Sequence, residues 1–148
     1  MTIITMFIGE YSHSVDQKGR CAVPTKFRKL LGSNAVVTRG LDNSLFLYTN
    51  KEWKKLAEKL AALPFSHKQS RAFARLMLAG AMEVTIDKQG RIMLPDYLRT
   101  FAKIKKKAVM AGLYNRIEIW DKAAWEKYKK ATEKESGTIA EDLFELGI

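Results

Sequence analysis

Two nine-residue stretches carry the side chains best suited to chemistry. Asp16-Gln17-Lys18-Gly19-Arg20-Cys21-Ala22-Val23-Pro24 and Asp87-Lys88-Gln89-Gly90-Arg91-Ile92-Met93-Leu94-Pro95 share one pattern, D-x-x-G-R-x-x-x-P. An arginine fork can hold a phosphate or a guanine edge through two parallel hydrogen bonds. Lys18, Lys88, Lys26 and Arg28 add positive charge beside the two arginines. Asp16 with Gly19, and Asp87 with Gly90, are what a tight turn requires: an acceptor side chain first and a residue free to take positive φ fourth. Nothing in turn geometry asks for an arginine. For Arg20 and Arg91 two readings therefore stand, an ion pair with the cassette aspartate or a contact with phosphate or base.

Other chemistries find no support. Cys21 meets Ile92 when the two stretches are superimposed, which makes it a small packing residue rather than a nucleophile. His13 meets Val84, and His67 falls between the repeats, so the two histidines make no site. H-E-x-x-H, C-x-x-C, G-x-S-x-G and G-x-x-x-x-G-K-[ST] are all missing from the sequence. No enzyme, cofactor, metal or small-molecule substrate is expected. The charge points elsewhere. The chain carries +10, yet residues 132–148 hold five acids against one lysine, leaving 25 basic and 11 acidic side chains in the first 131. A basic body with an acidic tail suits a polyanionic partner, nucleic acid above all. No apolar run reaches the ~18 residues of a membrane span. MTIITMFIGEY lacks the basic region and cleavage site of a secretory signal, and one cysteine supports no internal disulfide. The expectation is a cytoplasmic protein.

The elements that must position the cassettes are themselves duplicated. A shift of 71 residues superimposes Phe7 on Leu78, Gly9 on Gly80, Val15 on Ile86 and Arg28 on Arg99, with both cassettes in register. One extra residue in the second copy makes the shift 72, which brings Gly40-Leu41-Asp42-Asn43 onto Gly112-Leu113-Tyr114-Asn115 and Trp53 onto Trp125. Each copy, about 45 residues, reads as strand, turn, strand, short helix, strand, turn, strand, helix. The cassette turn closes a hairpin; Pro24 opens a helix at its first position and Gly32 closes it. In SLFLY, Leu45 and Leu47 take one face and Phe46 and Tyr48 the other. Asn50 is a candidate N-cap for a helix carrying Trp53, Leu56, Ala57, Leu60 and Ala61, which Pro64 stops. Phe73, Ala74, Met77 and Leu78 mark a further helix leading into the second copy. Lys103-Ile104-Lys105-Lys106-Lys107 reads as a solvated helix end or an extension of the basic surface. Four brief strands bury too little to stand alone, so two copies are expected to complete one shared sheet.

Two cassettes that each lead into a proline and a short helix, with Trp53 and the strand Ile117-Glu118-Ile119-Trp120, resemble the MraZ family from Met6 to about residue 145. The resemblance implies an α+β fold of tandem AbrB-like (SpoVT-AbrB) swapped-hairpin β-barrel modules, an intramolecular pseudo-dimer with connecting helices. On it, residues 7–54 and 80–125 are the modules, 55–79 a helical connector, and 126–148 a C-terminal helix and acidic tail. It implies a nucleoid-associated transcriptional regulator that forms rings with itself. Its partner would be double-stranded DNA, as direct repeats upstream of the division and cell-wall gene cluster and at its own promoter. Arg20 and Arg91 would face DNA with Lys18 and Lys88 beside them, while Asp16, Gly19, Asp87 and Gly90 support the turns. The five residues before Met6 have no family counterpart, and Met6 is a candidate start. Two other readings compete: an AbrB-like antitoxin, and a ring scaffold that binds no nucleic acid.

Overall fold

The computed structural model describes residues 6–148. In the first copy the strands are β1 (Phe7–Ser14), β2 (Arg20–Ala22), β3 (Asn34–Arg39) and β4 (Leu45–Thr49), with helix α1 (Thr25–Leu31) between β2 and β3 and helix α2 (Asn50–Ala61) after β4. Helix α3 (Lys68–Ala74) runs directly into a π-helical turn, Arg75–Ala79, and so into the second copy. That copy comprises β5 (Met82–Thr85), β6 (Arg91–Met93), α4 (Asp96–Phe101), β7 (Lys107–Tyr114), β8 (Ile117–Asp121) and α5 (Lys122–Lys134). Helix α6 (Ser136–Asp142) and a 3₁₀ turn, Phe144–Leu146, end the chain.

The two copies interleave. One antiparallel sheet runs β1-β7-β8-β4-β3-β5, and a separate ribbon pairs β2 with β6. The pairing obeys a pseudo-two-fold axis: β1 lies on β7 as β5 lies on β3, and β4 meets β8 with Phe46 opposite Glu118 on the axis. In the ribbon Cys21 faces Ile92 across the same axis. The fold is α+β and duplicated, as the pattern anticipates, but the sheet does not close into barrels: β1 and β5 remain its edges. The anticipated local hairpin shrinks to one bridge, Val15 to Cys21, because β2 takes its partner from the other copy.

Alternation explains the layering. Leu45 and Leu47 enter the main core with Phe7, Phe27, Val37, Leu98, Met110 and Ile119, and Phe46 and Tyr48 face a second cluster under α2 and α3. Phe27 and Leu31, one turn apart on α1, dip into the main core. Phe27 meets the rings of both Phe7 and Tyr11 edge-on, at 5.5 and 5.3 Å between centroids.

Four local expectations shift. Pro24 stands one residue before α1, its ψ of 137° still extended, and its carbonyl accepts from the Phe27 and Arg28 amides. The cap of α2 is Thr49, whose hydroxyl accepts from the Glu52 amide at 3.1 Å, and Asn50 is already helical. Asp121 caps α5 at the equivalent place. Leu78 lies on the expected helix leading into the second copy, but Gly80, which aligns with Gly9 inside β1, still caps that helix, so β5 is half the length of β1. Finally, Ala35 pairs with Thr49 and Val84 while Ala108 pairs with Asp121 and His13, so counterparts in β3 and β7 lie 73 residues apart. Gly112 thus takes the place of Arg39, not of Gly40. Close approach demands it, since a Cβ at Gly112 would lie 2.6 Å from the Phe7 and Ile8 backbone. Relative to the first copy, the second holds two extra residues between the cassette helix and β7 and one fewer in the turn that follows, a net of one.

Candidate nucleic-acid interface

Asp16 and Gly19 make the expected turn, the Gly19 amide donating to the Asp16 carbonyl at 2.9 Å with Gly19 at φ +85°. Asp87 and Gly90 repeat it, also at 2.9 Å, with Gly90 at φ +76°. Each aspartate does more than turn the chain. Asp16 Oδ1 accepts from the Lys18 and Arg20 amides at 3.0 and 2.8 Å, and Oδ2 accepts from Arg20 Nε at 2.7 Å. Asp87 does the same for the Gln89 amide (2.8 Å), the Arg91 amide (2.9 Å) and Arg91 Nε (3.1 Å). The Arg20 amide chiefly, helped by its guanidinium and the Lys18 amide, holds Asp16 below the usual carboxylate range. Asp87 is lowered in the same way, first by the Arg91 amide.

The ribbon turns these arginines outward. Cys21 and Ile92 point into the core, so strand alternation puts Arg20, Ala22, Arg91 and Met93 on the opposite face. Arg20 lies opposite Met93 and Arg91 opposite Ala22, which leaves the arginines diagonal, roughly 7–8 Å apart at the backbone. Their side chains are 36% and 30% exposed. Among the described residues each guanidinium hydrogen-bonds only through Nε, and to its own aspartate. The ion-pair reading is the one the structure shows: the pair fixes each arginine's stem through Nε, and it leaves the two outer nitrogens of each fork without a hydrogen bond among the described residues. Lys18 and Lys88 are exposed on the turns, and Lys26 is exposed on α1.

Arg28, among the charges beside the cassettes, has a structural place of its own. It does not join the solvated charge but reaches over the Gly90 turn, where Nε donates to the Val23 carbonyl at 2.7 Å. Arg99 reaches over the Gly19 turn and donates to the Leu94 carbonyl at 2.9 Å. Backbone bonds complete the lock, Val23 amide to Gly90 carbonyl and Leu94 amide to Gly19 carbonyl, both 2.8 Å. Each copy thus builds the other's turn. The signal was present in the sequence, where Arg28 and Arg99 recur in register with the cassettes.

Comparison with known proteins bears on this site. A family model described as "MraZ protein, putative antitoxin-like" matches residues 6–76 and again 77–146. The chain belongs to the MraZ family. A protein of Caldanaerobacter subterraneus subsp. tengcongensis named Transcriptional regulator MraZ is 49% identical over 143 residues, covering 97% of this chain and all of the relative. Proteins with the same name from Pediococcus pentosaceus (50%) and Natranaerobius thermophilus (49%) match with the same coverage. The repeated MraZ match bears out the duplication, and its boundary falls within the π-helical turn between the copies. These MraZ relatives are named for regulation, not catalysis. In keeping with that, Cys21 is buried, and burial pushes its thiol up to about 11, far from a nucleophile's range. No helix among the described residues is long and apolar enough to cross a membrane.

Proposed function

We propose that this chain is a DNA-binding transcriptional regulator that meets double-stranded DNA with the outward face of the β2–β6 ribbon. A two-stranded ribbon fits the major groove, where arginine reads guanine through O6 and N7. Arg20 and Arg91 make those contacts or grip phosphates, Lys18 and Lys88 neutralise flanking phosphates, and Asp16 and Asp87 aim the arginines. The observation that carries the reading is the pair of aspartate-braced guanidinium groups held outward at one spacing by two copies of one turn. The family resemblance supplies the rest. The chain works in the cytoplasm at the nucleoid as a ring of copies, bound to direct repeats at its own promoter and the division and cell-wall genes.

The test is a gel shift on DNA upstream of the chain's own gene, with Arg20→Ala, Arg91→Ala and the double variant in matched salt. Each single change should weaken binding by about 1–3 kcal/mol while melting stays cooperative. Unchanged binding by the double variant would remove the ribbon from the interface.

A further inference from the structure

The loop before β7 opens a cavity of about 550 Å³ against the first turn of α5, lined by Lys105, Lys106, Lys107, Lys122 and Ala123. The fold does not ask for those lysines. By the strand register, the first copy has Gly32, Ser33 and Asn34 where the second has Lys105, Lys106 and Lys107, and Asn50 where it has Lys122. Of the two carboxylates there, Asp121 accepts from the Lys105 and Ala124 amides, and Glu126 lies 3.7 Å from Lys129, whose ammonium is shared with Glu10 at 2.7 Å, so four lysines stand against one half-exposed acid. The helix end is thus capped from within, and what remains is a concave patch walled by lysine stems with spare positive charge.

At the far end of the chain the opposite surface is displayed. Every residue from Glu133 to Ile148 is exposed. Ile139, Leu143 and Leu146 recur at helical spacing, with Glu141, Asp142 and Glu145 between them. Phe144 and Leu146 are 76% and 74% exposed. Large apolar side chains held out beside acids are unusual for a segment with no partner. The chain does not cover its own cavity with it. α5 separates the two by thirteen residues, roughly 20 Å of helix, and a tail folded back along α5 would not be exposed throughout.

We propose that the lysine cavity receives the acidic, apolar tail of a second copy, with Phe144 or Leu146 inserted between lysine stems and the tail carboxylates paired with their ammonium groups. One cavity and one tail per chain let two copies exchange tails as a two-fold pair or, where each tail reaches a further copy, build a head-to-tail closed ring or filament. The inference deepens the assembly part of the function proposed above and stands apart from the ribbon's role.

Two full-length variants test it: Lys105→Glu/Lys107→Glu/Lys122→Glu, which keeps the tail, and Phe144→Ser/Leu146→Ser, which keeps the cavity. Light scattering should show the unaltered chain as a multiple of 16.9 kDa and each variant alone as 16.9 kDa. Mixed in equal amounts the variants should form a 1:1 pair and stop there, since only one tail and one cavity remain intact. The pair should dissociate in high salt. A tail variant that assembles like the unaltered chain, or a mixture that does not pair, overturns the docking while leaving the ring intact. An unaltered chain that is monomeric yet binds its promoter overturns docking and ring together and spares the ribbon. Lysine substitutions that weaken DNA binding but leave assembly unchanged would assign the cavity to nucleic acid instead.

Discussion

Gly90→Ala and Arg28→Ala, made singly and together, probe the lock between the copies. An alanine at φ +76° pays for a left-handed backbone, about 1–2 kcal/mol. Its Cβ would also overlap the Arg28 guanidinium, which must then leave and release the Val23 carbonyl. A bond from a charged donor contributes about 1.5–3 kcal/mol, so Gly90→Ala should cost about 2.5–5 kcal/mol and Arg28→Ala about 1.5–3. The arginine bond can be lost only once. The double variant should therefore match Gly90→Ala instead of reaching the additive ~4–8 kcal/mol. Urea unfolding followed by tryptophan fluorescence measures this, at one protein concentration because assembly shifts apparent stability. Additive losses would mean that Arg28 and Gly90 do not share one packing site, and the reasoning would be wrong. Across the axis, Gly19→Ala should cost more than Gly90→Ala. Its Cβ would lie 2.5 Å from the Leu94 carbonyl, a backbone group that cannot swing aside.

Other expectations concern single groups. Asp16 and Asp87 are held below their unfolded values, so the stability they confer is full above about pH 4 and is lost as pH falls through their folded values; Asp16→Asn/Asp87→Asn should flatten the acid limb of a melting-temperature profile. Thr49→Ala should destabilise by about 1 kcal/mol, and Asn50→Ala by much less, in thermal melts. Phe27→Ala removes a ring packed edge-on between Phe7 and Tyr11 and should cost about 3–5 kcal/mol in urea.

Much of this fold was legible because the chain states its rule twice. The turn at Asp16–Gly19 needs only a short acceptor and a glycine, local chemistry that reads directly from letters. The two faces of β4 follow equally from alternation. Pairing was less legible. Whether β2 bonds to β1 or to β6 depends on which backbone is nearest after folding, and no local pattern encodes that. The one-residue displacement of β7 was hidden for a similar reason: Gly112 resembles Gly40 in type, but it is small because β1 crosses it. The arginines of the ribbon were found through repetition. Arg28 and Arg99 were repeated just as faithfully, and only the geometry separates a residue that faces outward from one that clasps a turn.

Residues on a two-fold axis must tolerate their own images. Were the first copy a homodimer, Phe46 would face Phe46, and in a homodimer of the second Glu118 would face Glu118, two buried carboxylates side by side. Covalent fusion lifts that restriction. Phe46 and Glu118 confront each other, and Arg116 stacks 4.7 Å above the phenyl ring while donating to Glu118 at 2.9 Å. Trp120 donates to the other oxygen of the same carboxylate at 3.1 Å. Joining the halves has let unlike partners settle where symmetry would have allowed only like ones.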